Sequence, residues 1–215
     1  MVEKIIHQIV GPKTTELIDH CLNSWLPLKE HGFEIKVWSF EDINNFVETI
    51  YPFALSTLLN ARNLAESADI ARYLIVHHHG GYYMDWDIEL IDPEGFLKIC
   101  QNYGYGYLVV DPFNGTLASE CFSAAREEAY LLSLVEDVVE LFNNGLQDTL
   151  TTPKYSGPYR MRDSLIRHDN SRQDLIEVNS IFLYNYREIR EMPERETVAP
   201  LIHYWAHMWL RPAFK

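Results

Sequence analysis

The chain has 215 residues, 47% of them hydrophobic, and a net charge of -13 at pH 7, which suits one domain, 1–215, around one sizeable core. That charge argues against sequence-independent binding to nucleic acid and against a polybasic membrane anchor, since both need basic surface. No apolar run approaches the ~18 residues of a membrane-spanning helix, and Met1-Val2-Glu3-Lys4 enters strand-like sequence without a secretory signal, so a soluble cytoplasmic protein is expected. Three scattered cysteines, Cys21, Cys100 and Cys121, fit free thiols in a reducing compartment.

In chain order, Glu3 to Val10 alternates and stops at Gly11-Pro12, as a strand does whose end opens into a loop. Thr14 to Trp25 reads as a helix with Leu17, Ile18, Cys21 and Leu22 on one side. Phe33 to Trp38 is a second strand, and Ser39 with Asp42 caps another helix. Pro52 to Asn60 is a short helix, with Asn60-Ala61-Arg62-Asn63 as a connector. This alternation of strand and helix is the α/β pattern, in which ligands bind at the C-terminal edge of the sheet.

The stretch Ala65 to Leu90 organises the chain. Apolar residues at helical spacing predict a helix over Glu66–His79, and Gly80-Gly81 supplies the positive φ that ends it. Asp69 and Arg72 share one face of that helix, as an ion pair or as functional groups. His77-His78-His79 does not form a zinc site, because three consecutive residues at a helix end point in different directions. Tyr82-Tyr83-Met84 reads as a buried strand that delivers Asp85-Trp86-Asp87, and alternation puts both carboxylates on one side. Two like charges there imply a positive partner. Magnesium or manganese suits hard carboxylate oxygens and bridges to phosphate oxygens. A polar turn after a strand is the alternative.

Beyond Asp87, Ile88 to Ile91 continues extended to a turn at Asp92-Pro93. Gly104 to Val110 is a strand, and Glu120 to Asn143 reads as a long amphipathic helix ended by Gly145. Glu120 would then be an acid at a helix N-terminus. Tyr155-Ser156-Gly157-Pro158 is a turn before a helix Tyr159–Arg167, whose arginines Arg160, Arg162 and Arg167 read as a solvated face. Val178 to Tyr184 is a strand and Met192 to Val198 a loop. His203-Tyr204-Trp205-Ala206-His207-Met208-Trp209 lies at the end of the chain, with His203 either packed or functional.

Ser67-Asp69-Arg72-Tyr73, then Gly80-Gly81-Tyr82, then Asp85-Trp86-Asp87 resembles the signature of the sugar-nucleotide glycosyltransferases of family 32. That family is distantly similar to the glucosylating clostridial toxins and includes a yeast outer-chain mannosyltransferase. Lys4 to Ile9, Ser24-Trp25, Lys36-Val37-Trp38, Tyr155 to Pro158, and His203 to Ala206 with Trp209 extend the resemblance over nearly the whole chain. Val10 departs from it where Trp is frequent, and Met208 where Ser is. The resemblance implies a GT-A-like fold, a mostly parallel twisted sheet flanked by helices. It further implies retaining transfer of a hexose from a nucleotide-sugar donor to a glycan acceptor; UDP-hexose is the first donor expected and GDP-hexose the second. By the same resemblance, Asp85, Asp87 and His203 would hold Mn2+ or Mg2+, and Asp69 and Arg72 would act on the sugar and phosphate. Ile9, Val10 and Trp209 would lie at the nucleotide, and Ser119 and Glu120 would face donor or acceptor. Two other readings are a non-catalytic sugar-nucleotide-binding or glycan-binding domain and a haloacid dehalogenase-type phosphohydrolase. The latter expects Thr or Val four residues after its nucleophile, where this chain has Glu89.

Overall fold

The structure is a computed structural model that describes residues 1–194 and 199–206. Strand β1 (Ile5–Ile9) leads to helix α1 (Glu16–Ser24), strand β2 (Glu34–Trp38) and helices α2 (Phe40–Ile50) and α3 (Pro52–Leu59). Thr15 caps α1, and Ser39 and Asp42 form a reciprocal capping box on α2. These side chains satisfy N–H groups that the first helical turn cannot pair internally. Helix α4 (Leu64–His79) follows, then strands β3 (Gly81–Met84) and β4 (Ile88–Leu90) and helix α5 (Pro93–Asn102). The rest comprises β5 (Gly106–Asp111), β6 (Thr116–Ala124), α6 (Ala129–Asn143), α7 (Thr152–Tyr155), α8 (Pro158–His168), β7 (Asp174–Glu177) and β8 (Leu201–His203). No helix among the described residues is long and apolar enough to cross a membrane.

Six strands form one sheet in the order β2-β1-β3-β6-β5-β7, and β4 pairs with β8 separately. Every strand of the large sheet is parallel to its neighbours except β6, which runs antiparallel to both β3 and β5. One face carries Ile9, Trp38, Tyr83 and Phe122 under α2, α3, α4 and α6. The other carries Ile6, Tyr82 and Met84 against Trp25, Phe33 and Phe96. Helix α4 is buried from Glu66 through Val76, because it lies between the sheet and the outer helices, in contact with both β1 and α6. Its stop is steric. Gly80 and Gly81 sit at φ 66° and 104°, and a Cβ on Gly81 would lie 2.5 Å from the Ile5 carbonyl oxygen.

His7 is a satisfied strand residue: its Nε2 bonds the Gly80 carbonyl at 2.9 Å and its Nδ1 accepts from the Trp38 indole at 3.2 Å. Burial pushes its pKa down to about 3. Between that value and the ordinary ~6.5 only the unfolded chain binds the proton, so stability falls as pH drops, by about 1.4 kcal/mol per unit from this group. Urea unfolding at pH 5.0 and 6.5 should show that slope, and His7→Gln, which cannot take up a proton, should lose this share of it. An unchanged slope in the variant would remove His7 as the cause.

Several expectations are corrected. Asp92-Pro93 is no simple turn: Asp92 accepts from the Gly95 N–H and Pro93 opens α5, the first-turn position that proline suits. Residues 120–124 are strand, not helix, and α6 starts only at Ala129. Strand β6 lies between β3 and β5, which supply ladder partners on both sides and override the weak strand preference of its Ala and Ser residues. The acid at the N-terminus of α6 is thus Glu128, held by Arg172 at 2.9 Å. The late strand is 174–177, and residues 178–180 form a 3-10 turn that carries the chain toward β8. Leu17 is exposed. His77 turns to the Tyr51 hydroxyl, whereas His78 and His79 meet ring to ring at 4.7 Å and both pack on Phe46, His79 also against Trp38. Of the three arginines expected on a solvated face, Arg162 pairs with Asp163 at the surface, Arg167 pairs with Glu140 and with the buried Asp137, and Arg160 donates to the Lys154 carbonyl with its Nε buried; the three cysteines are free.

Candidate active site

Asp85 and Asp87 meet on one side, though not through strand alternation. β3 ends at Met84, and Asp85 to Ile88 is a turn closed by the Ile88 N–H on the Asp85 carbonyl at 3.1 Å. The Asp85 N–H bonds the Glu120 carbonyl of β6 at 2.9 Å, and the Tyr83 hydroxyl donates to Asp85 Oδ1 at 2.7 Å. His203 enters from β8, where it pairs with Ile88 across the small sheet. Its Nε2 lies 3.3 Å from Asp87 Oδ1 and its Nδ1 3.7 Å from Glu120 Oε1. The next turn is clasped to the same carboxylate, since the Ala206 N–H donates to Asp87 Oδ2 at 2.7 Å. His203 is therefore both packed, with 4% exposure, and part of the polar cluster.

From the other side α4 presents Asp69 and Arg72. Both are buried, and Arg72 Nη2 stands 3.5 Å from Asp69 Oδ1. The guanidinium also reaches Asp85 Oδ1 at 3.3 Å and the carbonyls of Ser119 at 2.7 Å and Ala68 at 3.2 Å, lying over the Tyr83 ring. Asp69 Oδ2 accepts from the Ser156 hydroxyl at 2.7 Å. The turn at Ser156 is anchored by the Tyr73 hydroxyl on its carbonyl, and Gly157 leaves room beside Asp69 that a larger residue would crowd.

The electrostatics follow from crowding acids in a half-dry hollow. Burial pushes the Asp69 carboxyl up to about 6, with Arg72 and Ser156 opposing. Burial likewise raises Asp85 and Glu120, only partly offset by Arg72 and His203 respectively. Asp87 goes the other way: burial disfavours its charge, but His203 and the Ala206 N–H outweigh that and hold it below the usual range. The His203 imidazole, disfavoured as a cation by burial, is raised by Asp87 and Glu120. Asp69, Asp85, Asp87 and Glu120 thus face one guanidinium and one imidazole.

This surplus of negative charge fits a divalent cation. Asp85, Asp87 and His203 offer ligand atoms within 4.8 Å of one another, the one such group among the described residues. His203 Nδ1 is buried without a hydrogen-bond partner. Two carboxylates and one imidazole suit a hard to borderline ion, with the nitrogen favouring manganese over magnesium.

Two cavities of about 220 Å³ each meet here. The first holds Asp69, Arg72, Asp85, Asp87, Ser119, Glu120 and His203, with Trp205 at one side. The second shares Ala65, Arg72, Asp85 and Trp86 with it and is closed by Ile9, Gly11, Pro12, Lys13 and Phe40. The structure therefore brings Asp69, Arg72, Asp85, Asp87 and His203 together and places Ile9 next door. Val10 does not line either cavity, and Trp209 lies outside the described residues. Ser119 and Glu120 do face the site, but from a strand.

Sequence reasoning missed three contributors. Trp86 is the middle residue of the acidic triplet, and its ring packs on Gly11 so closely that a Cβ there would lie 2.7 Å from it. Ser156 holds Asp69, a role for which the only local signal was the Ser-Gly-Pro turn. Trp205, tilted against the His203 ring with centroids 4.1 Å apart, has a left-handed φ of 45°, costly for a bulky residue and typical of functional sites. Glu89 turns away to His20 and Tyr204, so the position that would mark a phosphohydrolase takes no part.

Known proteins resemble this chain in part of its sequence and in fold. Residues 15–103 match the family described as "Glycosyltransferase sugar-binding region containing DXD motif", a stretch that includes Asp69, Arg72, Asp85 and Asp87. A mannosyl phosphorylinositol ceramide synthase of Saccharomyces cerevisiae is 31% identical over 93 residues, 40% of this chain and 23% of that protein. An inositol phosphoceramide mannosyltransferase of Schizosaccharomyces pombe is 30% identical over 93 residues, 40% of this chain and 24% of that one. The match thus spans about a quarter of those relatives. Among solved structures, the PaToxG glycosyltransferase superposes with a TM-score of 0.56 at 13% identity, covering 77% of this chain and 69% of that one. A glycosyltransferase involved in glycosylation of the major capsid of PBCV-1 gives 0.54 at 11% identity, over 93% and 92%. The superpositions bear out the GT-A-like α/β fold, and over residues 15–103 the chain is similar to the DXD-containing glycosyltransferase family.

Proposed function

We propose that the chain, acting as one domain, is a metal-dependent hexosyltransferase that moves a sugar from a nucleoside diphosphate donor to a glycan acceptor. The observation that carries this reading is the convergence of Asp85, Asp87 and His203 opposite Asp69 and Arg72 in one cavity. Asp85, Asp87 and His203 would hold manganese or magnesium, which when bound neutralises the diphosphate. Asp69 accepts hydrogen bonds from sugar hydroxyls, and Arg72 keeps positive charge beside it. The neighbouring cavity, with Ile9, Phe40 and the Trp86 ring beside Lys13, suits a flat base and its ribose. Here Trp86 supplies the aromatic face that Val10 lacks. UDP-hexose is the first donor to try. GDP-hexose follows, and the mannosyl transfer in the relatives' names makes mannose a hexose to include.

The test is calorimetric titration of UDP and of GDP with Mn2+ and with EDTA, followed by a panel of their hexose conjugates. Tight binding of one diphosphate only with metal, and slow release of free sugar from the matching donor, is the expected result. Metal-independent binding, or none for either diphosphate, overturns the proposal. Binding without any sugar release would leave a binding module, and release of inorganic phosphate a phosphohydrolase.

A further inference from the structure

A third cavity, of about 240 Å³, opens on the far side of Glu120 and Trp205 from the nucleotide side and shares both with the central cavity, together with Pro158. The three hollows run in a row: Ile9, Phe40 and Trp86 at one end, the carboxylates and Arg72 in the middle, and this cavity at the other end. A group-transfer enzyme suits that order, because the second substrate must reach the transferred group while the nucleotide still occupies its own cavity.

The lining specifies the ligand. Tyr186 and Trp205 stand edge to face, ring centroids 5.6 Å apart, which gives a rigid apolar wall. Around it lie polar groups with free capacity. Asn185 uses Oδ1 to accept the Arg187 and Glu188 N–H groups, which leaves its NH2 without a partner among the described residues. Asn114 donates to Asp111 and keeps its own oxygen. Thr116 makes no side-chain hydrogen bond among the described residues. One donor, one acceptor and one hydroxyl beside an aromatic wall match a ring with an apolar face and a hydroxylated edge. Charge narrows the class: among the described residues, Asp111 and Glu120 are the acidic side chains that line the cavity and no cation lines it, so a phosphate or carboxylate on the ring would meet acids and no counter-charge there. Its volume falls below the ~300–1,000 Å³ of sites for drug-sized ligands, which fits one ring.

We propose that this cavity is the acceptor site and that it takes a single uncharged polyhydroxylated ring, a terminal neutral hexose or cyclic polyol, with one hydroxyl directed past Glu120 into the donor cavity. The proposal rests on the transferase reading and adds the acceptor's class and place.

Saturation-transfer NMR on the full chain with UDP and Mn2+ tests it. The probes are methyl glucoside, methyl mannoside, methyl galactoside and myo-inositol, against glucuronate and glucose 6-phosphate. Two variants probe the wall and the edge: Tyr186→Ala, at an exposed residue, and Thr116→Val, which removes only the hydroxyl. The expected result is binding of at least one neutral ring and of neither charged one. Tyr186→Ala should weaken that ring by about ten-fold, and Thr116→Val by several-fold, with affinity for UDP and Mn2+ unchanged in both. If UDP binds and no neutral ring does, or the ring binds both variants as tightly as the unaltered protein, the acceptor site is refuted while the donor reading stands. If no nucleoside diphosphate binds with manganese, the transferase reading fails and the acceptor role with it.

Discussion

Replacing Asp87 with Asn is expected to weaken manganese-dependent binding of a nucleoside diphosphate by about a thousand-fold, and to reduce transfer at least as much. One charge pair about 4 Å apart near a protein surface is worth roughly 4 kcal/mol, and each ~1.4 kcal/mol is a factor of ten. The substitution is mild for the fold. Asparagine can still accept the Ala206 N–H, now 2.7 Å from Oδ2, and the backbone bond from the Tyr204 N–H to the Asp87 carbonyl is untouched. Asp85→Asn should act in the same direction, because its carboxylate belongs to the same ligand group. Calorimetry with UDP, with and without Mn2+, decides the matter once thermal unfolding has shown both variants folded. Metal-dependent affinity equal to that of the unaltered protein would take Asp87 out of the metal site.

Asp69→Asn should separate the sugar from the nucleotide. On an exposed helix face the Asp69–Arg72 pair would contribute only about 0.2–0.5 kcal/mol. The pair is in fact buried, and deleting one partner of a buried pair costs about 3–5 kcal/mol, so Asp69→Ala would confuse misfolding with lost chemistry. Asparagine keeps an acceptor for the Ser156 hydroxyl. The expected result is affinity for the bare diphosphate with manganese within a few-fold of the unaltered protein. Sugar-nucleotide affinity and transfer should each fall by about 10- to 100-fold, the worth of a hydrogen bond to a charged group. Near-normal transfer would leave the ion pair as the whole role of Asp69.

The central helix, its glycine stop, the short aromatic strand and the capping box at Ser39 were legible in the sequence because each depends on residues within a few positions of one another. Strand β6 was not. Its Ala, Ser and Cys residues carry little strand preference, and the run into α6 looks continuous until β3 and β5 claim residues 116–124 between them. Helix α5 went unseen for a different reason, since Asp92-Pro93 opens a helix as readily as it closes a strand.

The candidate site divides in the same way. The sequence by itself determined which groups are the candidates for that chemistry: the two aspartates after β3, and Asp69 and Arg72 one helical turn apart. It did not determine how they meet. Asp85 and Asp87 converge through a turn. Arg72 is held by Asp85 and the Ser119 carbonyl as well as by Asp69, and Ser156 reaches Asp69 from 87 positions away. His203 and the Ala206 N–H close on Asp87 because β8 pairs with β4. Only the tertiary structure decided those contacts, because local preferences act over one or two turns of chain, whereas a buried cluster of charges is assembled by the packing of elements distant in sequence.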